Sequence, residues 1–289
     1  MTSSLSDKVI INVCPTGMIP RRVKVPNVPI TPEEIAADVK RCRDAGASMV
    51  HLHARDDDEE PTWRPERFGE ICDAVAAAVP DMIIVVTTSG RDWSELEKRA
   101  ASIRIQGPAR PEMASLTLGS MNFVTGPSVN SPEIIRGLIA EMHNNDVVPE
   151  LEIFDTGMAD YCSYLVEKEI LKPPYYANIL LGSRGTANLS AANIASILAG
   201  LPQSTTWALA GVGRYQLPAN IAALSLGGHV RVGLEDNPYY SWAERSPATN
   251  GGLVERVSRI AREMGREPAT PEEARLIIGL KPVDRSAVI

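Results

Sequence analysis

Residues 31–55 read TPEEIAADVKRCRDAGASMVHLHAR. The stretch opens with the signals of a helix start, because Thr31 can cap the helix, Pro32 fits its first turn and two glutamates follow. Gly46 marks the end of that helix, since glycine readily takes the backbone conformation of a C-cap. The apolar run 48–54 that comes next is typical of a short buried strand. The segment therefore predicts one helix followed by one strand.

The same alternation continues along the whole chain. Short runs rich in Val, Ile and Leu are typical of parallel strands that are buried on both faces. We predict strands over residues 8–14, 48–54, 82–88, 113–118, 148–154, 175–181, 205–210 and 229–235. Beyond the helix between Thr31 and Gly46, we predict helices over 66–79, 94–103, 131–142, 159–170, 191–199, 218–226, 252–264 and 270–278.

Eight consecutive strand–helix units predict an α/β protein with the (β/α)8 architecture of a TIM barrel. We expect residues 1–289 to form a single domain. A doubly wound open sheet is the structural alternative, because periodicity does not reveal whether a sheet closes on itself.

Composition narrows the range of partners. A net charge of −7 argues against a non-specific nucleic-acid binder or an anionic-membrane binder, because both need a basic face. We find no apolar run that approaches the roughly 18–20 residues of a membrane span, and no secretory signal at the N-terminus. The four cysteines lack CxxC spacing, so we expect buried free thiols. These features predict a cytoplasmic protein.

The second predicted strand carries a candidate metal site. In a TIM barrel the active site lies at the C-terminal ends of the strands. His51 and His53 are two residues apart near such an end, so their side chains share one face. Two imidazoles pointing into the barrel suit a divalent metal such as Zn²⁺. A hydrogen-bonded pair of core histidines is the alternative.

The eighth predicted strand offers a third ligand. Strand alternation places Arg231, Gly233 and Glu235 on one face, opposite apolar residues. A buried arginine and a buried glutamate are costly unless they are paired or bound to something. Glu235 is therefore the candidate that completes a catalytic metal site, and an internal pair with Arg231 is the alternative.

Other strand ends are also polar. Hydroxyl residues follow the third and fourth strands, and Glu150 and Glu152 share a face of the fifth. Arginines follow several strands of this acidic protein and suggest an anionic substrate: Arg55, Arg184, Arg214 and Arg231. A binuclear amidohydrolase is disfavoured, because its HxH pair belongs on the first strand with further histidines on middle strands. We expect His143 and His229 to be structural.

Several stretches together resemble the β-keto acid cleavage enzymes, whose type member acts on 3-keto-5-aminohexanoate. They are Thr16-Gly17, residues 29–34 (PITPEE), 51–55 (HLHAR), 111–115 (PEMAS), 227–237 (GGHVRVGLEDN) and 269–275 (ATPEEAR). The resemblance covers residues 8–280. It implies a zinc-dependent barrel, usually a homotetramer, that reacts a β-keto acid with acetyl-CoA to give acetoacetate and a new acyl-CoA.

The resemblance also implies roles for individual residues. It makes His51, His53 and Glu235 the zinc ligands, Asp236 the catalytic base, and Arg231 an aid to the charged intermediates. Glu152 matches an active-site carboxylate, and the positions that match the keto-acid site are Thr87, Gly90 and Ser115.

One departure bears on the substrate. The type enzyme has a glutamate two residues after its Thr-Gly, where it contacts the amino group of the substrate, and this sequence has Met18-Ile19 there. We therefore expect a substrate tail that is neutral or apolar and contacts Ile19. A charged tail that is recognised by another loop is the alternative. The alternatives are a mononuclear metal-dependent aldolase or lyase that acts without CoA, and a metal-stabilised binding protein without turnover.

Overall fold

The computed structural model describes residues 4–124, 126–281 and 285. Its centre is a closed barrel of eight parallel strands, which excludes the open sheet. In chain order the strands are β1 Ile11–Val13, β2 Met49–Leu52, β3 Ile83–Val86, β4 Met113–Thr117, β5 Val148–Ile153, β6 Tyr176–Leu181, β7 Thr206–Gly211 and β8 His229–Val232. Closure is made where β1 pairs with both β2 and β8, through Asn12↔Met49 and Ile11↔Val230.

Helices surround the barrel. They are α1 Pro32–Ala45, α2 Pro65–Ala78, α3 Leu96–Ala100, α4 Pro132–Asn144, α5 Thr156–Glu167, α6 Ala191–Gly200, α7 Gln216–Ser225, α8 Asn250–Glu263 and α9 Pro271–Ile278. The predicted start of α1 is confirmed, because the Thr31 hydroxyl accepts from the Glu34 N–H and the Glu34 carboxylate accepts from the Thr31 N–H. Gly46 ends the helix at φ 117°.

The core has two parts that leave one end of the barrel open. Most buried apolar side chains pack between the strands and the helices. A second cluster fills the N-terminal half of the barrel interior with Ile10, Met49, Ile83 and Tyr176, and it continues onto helix α9. Because α9 covers that end, space for a site remains at the C-terminal ends of the strands.

The predicted strand 8–14 is interrupted at Ile10. Residues Lys8–Val9 pair in parallel with Glu267–Pro268, outside the barrel, and only Ile11–Val13 join the barrel sheet. The N–H of Ile10 donates to Nδ1 of His229 at 3.0 Å, so His229 is structural, as predicted. His143 is exposed near the end of α4.

Two short hairpins extend above the C-terminal ends of the strands. Met121–Phe123 pairs with Gly126–Ser128 after β4, and Tyr239–Ser241 pairs with Ser246–Pro247 after β8. Within the described part of the chain, we find no helix whose length and apolar composition would let it cross a membrane.

Candidate active site

A cavity of about 370 Å³ lies at the open end of the barrel. Its polar lining comes from strand ends that are far apart in sequence, and it includes His53, Glu152, Arg231, Glu235 and Asp236. Apolar side chains from the loop after β1 and from the first hairpin also line it. Ionisable groups and apolar side chains therefore line the same cavity.

Three side chains that could hold a metal ion converge at this cavity. Nε2 of His51 lies 3.2 Å from Nε2 of His53, which in turn lies 3.2 Å from Oε1 of Glu235. The other oxygen of Glu235 is buried and has no hydrogen-bond partner among the described residues. Two imidazole nitrogens and a carboxylate oxygen are a donor set that Zn²⁺ accepts with one position left open. The residues present therefore fit the metal.

The pKa values of the two imidazoles are shifted in opposite directions. Burial lowers the pKa of His53 to about 4, although Glu235 acts against this, so the ring is neutral and able to bind a metal at neutral pH. Burial also lowers the pKa of His51, but the adjacent Glu150 carboxylate outweighs it and the net shift is upward. Arg231 overcomes the effect of burial on Glu235 and holds the pKa of that carboxyl well below its usual value.

Glu150 orients His51 from inside the barrel. Its Oε2 lies 2.6 Å from Nδ1 of His51, and its Oε1 accepts from the side-chain amides of Asn12 and Asn178, each at 2.6 Å. With Nδ1 engaged, the ring presents Nε2 to His53. The sequence placed Glu150 on the same face of β5 as Glu152, but the contact with His51 did not follow from that position. Asn12 on β1 and Asn178 on β6, which both donate to Glu150, were the signal in the sequence that could have indicated this buried carboxylate.

Arg231 connects the metal site to the other carboxylates. The guanidinium is buried and contacts Glu235 at 2.8 Å, Asp236 at 3.1 Å and Glu152 at 3.5 Å. The structure thus contains the internal Arg231–Glu235 pair that the sequence offered as the alternative. It also contains the convergence of Glu235 with the two histidines. Thr117 donates to Glu152 at 2.7 Å, and burial raises the pKa of that carboxyl.

The strand predicted over 229–235 ends at Val232, which corrects the prediction. A turn follows, in which the carbonyl of Gly233 accepts from the N–H groups of Asp236 and Asn237. Alternation along a strand would place consecutive residues on opposite faces. The turn instead lets Glu235 and Asp236 both line the cavity.

Only some of the residues predicted to bind the keto acid line the cavity. Thr87 and Ile19 line the cavity. Ser115 and Gly90 are not among the lining residues: the Ser115 hydroxyl accepts from the Thr88 N–H at 3.1 Å, and the guanidinium of Arg99 fills the space that a side chain at Gly90 would need. Their substrate contacts stay predictions.

The arginines that were predicted to follow the strand ends also lie in different environments. Arg55 is buried and donates to the backbone carbonyls of Gly17, Pro20 and Glu59, so it fixes the loop after β1 and is not a rim cation. Arg184 is exposed on its loop, and Arg214 is exposed in the 3-10 helix Gly213–Tyr215. Arg91 lines the cavity and was not singled out from the sequence.

The family model for the beta-keto acid cleavage enzyme matches residues 8–280. The chain belongs to the β-keto acid cleavage enzyme family. The 3-keto-5-aminohexanoate cleavage enzyme of Acetoanaerobium sticklandii is 38% identical over 95% of the chain and 99% of that relative. The 3-oxoadipate:acetyl-CoA acetyltransferase of Cupriavidus necator is 34% identical over 96% of each chain.

Solved structures agree on the fold. ObcA in binary complex with oxaloacetate matches with a TM-score of 0.74 at 23% identity, over 89% of this chain and 68% of that chain. At this identity the match supports the barrel of this β-keto acid cleavage enzyme and nothing finer.

Proposed function

We propose that the protein is a zinc-dependent enzyme that reacts a β-keto acid with acetyl-CoA and forms acetoacetate and a new acyl-CoA. The observation that carries the proposal is that His51 converges with His53 and Glu235, and that these last two residues line one cavity together with Arg231 and Asp236. The named activities of the relatives, a cleavage enzyme and an acetyl-CoA acetyltransferase, support the same reaction class.

Zinc would be held by His51, His53 and Glu235. When bound, it supplies a Lewis acid that polarises the keto oxygen of the substrate. All other steps fall to side chains of the chain itself.

Asp236 is the base in this proposal. It removes a proton from C2 of the keto acid, which lies between two carbonyl groups, and the resulting carbanion attacks the acetyl-CoA carbonyl and displaces the CoA thiolate. Arg231, 3.1 Å from the Asp236 carboxylate, offsets the negative charge that develops beside it. Glu152 holds the opposite side of the same guanidinium.

The second half of the reaction returns CoA. The thiolate adds to the original keto carbon, the C2–C3 bond breaks, and the electron pair stays on C2 and takes up a proton. The products are acetoacetate, which contains C1 and C2 of the keto acid, and an acyl-CoA that contains the tail. Atoms and charge balance without an oxidant or reductant.

We propose a neutral or apolar tail. Met18 and Ile19 lie on the cavity wall, and Phe154 and Leu180 extend the apolar surface. An ammonium group against this wall would lose its water without gaining a carboxylate partner.

The test is an incubation of zinc-loaded protein with acetyl-CoA and a panel of β-keto acids whose tails are neutral, cationic or anionic, followed by mass spectrometry. We expect acetoacetate and a new acyl-CoA in equal amounts, fastest for a neutral tail. Cleavage that proceeds without acetyl-CoA would favour the lyase, and metal binding without turnover of any tail would favour the binding protein.

His51→Gln and His143→Gln form a matched pair for this test. The first removes a proposed ligand and should abolish both zinc binding and product. The second changes an exposed histidine outside the cavity and should leave both at the wild-type level.

A further inference from the structure

Arg91 is a cation in the active-site cavity that lacks a partner among the described residues. It follows β3, lines the cavity and is half-buried. Its guanidinium carbon lies 3.9 Å from the centroid of the Phe123 ring. The side chain makes no hydrogen bond and no ion pair with any residue that the structure describes. The cationic head thus rests on an aromatic face, and its N–H groups are available to a ligand.

Other buried arginines of this chain are engaged. Arg231 contacts three carboxylates, and Arg99 donates to the carbonyls of Thr88 and Val129 and to the side chain of Asn130. A partly desolvated guanidinium is costly when its donors lack acceptors. Burial accordingly lowers the pKa of Arg91. An acceptor that arrives with the substrate would remove this cost.

The loop that carries Arg91 is held in place on both sides. The hydroxyl of Thr88 donates to the carbonyl of Ser115 at 2.6 Å, and the N–H of Ser89 donates to the Thr87 hydroxyl at 3.1 Å. Beneath the loop, Arg99 packs against Gly90. Arg91 therefore projects from a fixed backbone. Its guanidinium lies over the Phe123 ring, and its N–H groups have the fork geometry that can donate two hydrogen bonds to one carboxylate.

We propose that Arg91 binds the C1 carboxylate of the keto acid, an inference that rests on the proposed function. Every β-keto acid carries this carboxylate, and so does the product acetoacetate. The cavity also contains Glu152, Glu235 and Asp236, which repel an anion, and Arg231 is committed to all three. Among the cavity-lining arginines that the structure describes, Arg91 is the one left to receive the substrate anion.

Binding of two neutral-tail compounds isolates the contact. Calorimetry would measure the affinity of zinc-loaded wild type, Arg91→Gln and Arg91→Lys for acetoacetate and for its methyl ester, which lacks the charge. We expect Arg91→Gln to weaken acetoacetate binding by about 10- to 100-fold and to leave the ester unchanged. Arg91→Lys should recover part of the loss, because it restores the charge without the bidentate geometry.

Arg245→Gln is the matched control. Arg245 also stacks on aromatic rings, at 4.2 Å from Trp242 and 5.0 Å from Tyr239, but it does not line the cavity. Its replacement should change neither affinity. Equal affinity of wild type and Arg91→Gln for acetoacetate would overturn the proposal, and the reaction with acetyl-CoA would still stand on its own assay.

Steady-state kinetics separates the two carboxylates that a substrate can carry. With the C1 contact, Arg91→Gln raises KM for a monocarboxylic keto acid and for one with a second carboxylate in its tail by the same factor, and KM for acetyl-CoA is unchanged. An increase confined to the dicarboxylic substrate would overturn the C1 assignment and place Arg91 at the tail.

Discussion

Oε2 of Glu150 lies 2.6 Å from Nδ1 of His51, deep inside the barrel. The contact determines which nitrogen of the ring faces His53 and the proposed metal, because a neutral imidazole that donates from Nδ1 presents a lone pair at Nε2. The side-chain amides of Asn12 and Asn178 each donate a hydrogen bond to the other Glu150 oxygen. A carboxylate behind a metal-binding histidine is a common arrangement that fixes the ring and makes it a better ligand.

Glu150→Gln should weaken zinc binding while leaving the three proposed ligands in place. The amide keeps the volume of Glu150 but removes the charge that strengthens His51 as a ligand, and losses of about 10- to 100-fold in metal affinity are typical of such changes. Competition with a chromophoric zinc chelator measures this. Glu255→Gln, at an exposed position on α8, is the control. Unchanged affinity in Glu150→Gln would contradict the orienting role.

A second group of potential ligands allows a direct comparison. His51, Glu150 and Glu152 also lie close enough to share an ion. We expect Glu235→Gln to lose the metal, because Glu235 Oε2 is buried without a partner among the described residues and would be engaged by the ion. Glu152→Gln should retain the metal and lower turnover, because Glu152 contacts Arg231. The metal content of each variant, measured by elemental analysis, distinguishes the two sites. Loss of metal in Glu152→Gln and its retention in Glu235→Gln would place the ion between His51, Glu150 and Glu152.

The strands were the most predictable part of the fold. Parallel strands buried on both faces leave short runs of Val, Ile and Leu, and each of the eight predicted strands overlaps a barrel strand. The pairing of His51 with His53 followed from the two-residue period of a strand. These are local properties, and local properties are what one sequence records directly.

Contacts between residues that are far apart in the sequence could not be predicted from local patterns. The strand period explained neither the turn at Gly233 nor why consecutive Glu235 and Asp236 both face the cavity. Arg55 resembled a rim cation, yet its acceptors include the carbonyl of Gly17, which lies on the loop after a different strand. Such partners depend on the closed barrel.

Gly233→Ala should disrupt the turn that carries the two carboxylates. A methyl group at this position would collide with the backbone carbonyl of Cys14 on the neighbouring strand end. Backbone atoms cannot move aside as a flexible side chain can, so we expect a loss of about 1–3 kcal/mol in the free energy of unfolding and reduced turnover. Urea unfolding and the product assay measure the two effects.

Gly69→Ala is the matched control for that variant. Gly69 lies inside helix α2, and a methyl group added there would have open space around it: apart from its sequence neighbours and the backbone of its own helix, no described atom lies within 4 Å. Alanine is favoured over glycine in a helix by about 0.5–1 kcal/mol, so the same change should increase stability and leave turnover unchanged. A Gly233→Ala protein as stable as wild type would contradict the close approach to Cys14.

His229 should make the protein less stable in mild acid. Its Nδ1 accepts from the Ile10 N–H, which requires the neutral ring, and burial together with Arg266 lowers its pKa to about 3. In the unfolded chain the pKa of histidine is about 6.5. Between these values the unfolded state binds a proton that the folded state does not, so the contribution to stability is full above about pH 6.5 and is lost as the pH falls.

His229→Gln should reduce this dependence on pH. Glutamine keeps an oxygen that can accept a hydrogen bond but does not titrate, so the variant lacks a loss that reaches about 2 kcal/mol between about pH 6.5 and pH 5 in wild type. Urea unfolding at about pH 7 and pH 5 gives the difference for each protein, and contributions from the other histidines cancel in the comparison. His143→Gln, which removes an exposed histidine, should retain the wild-type difference. Equal pH dependence in His229→Gln and wild type would mean that the folded protein accommodates a charged ring at this position.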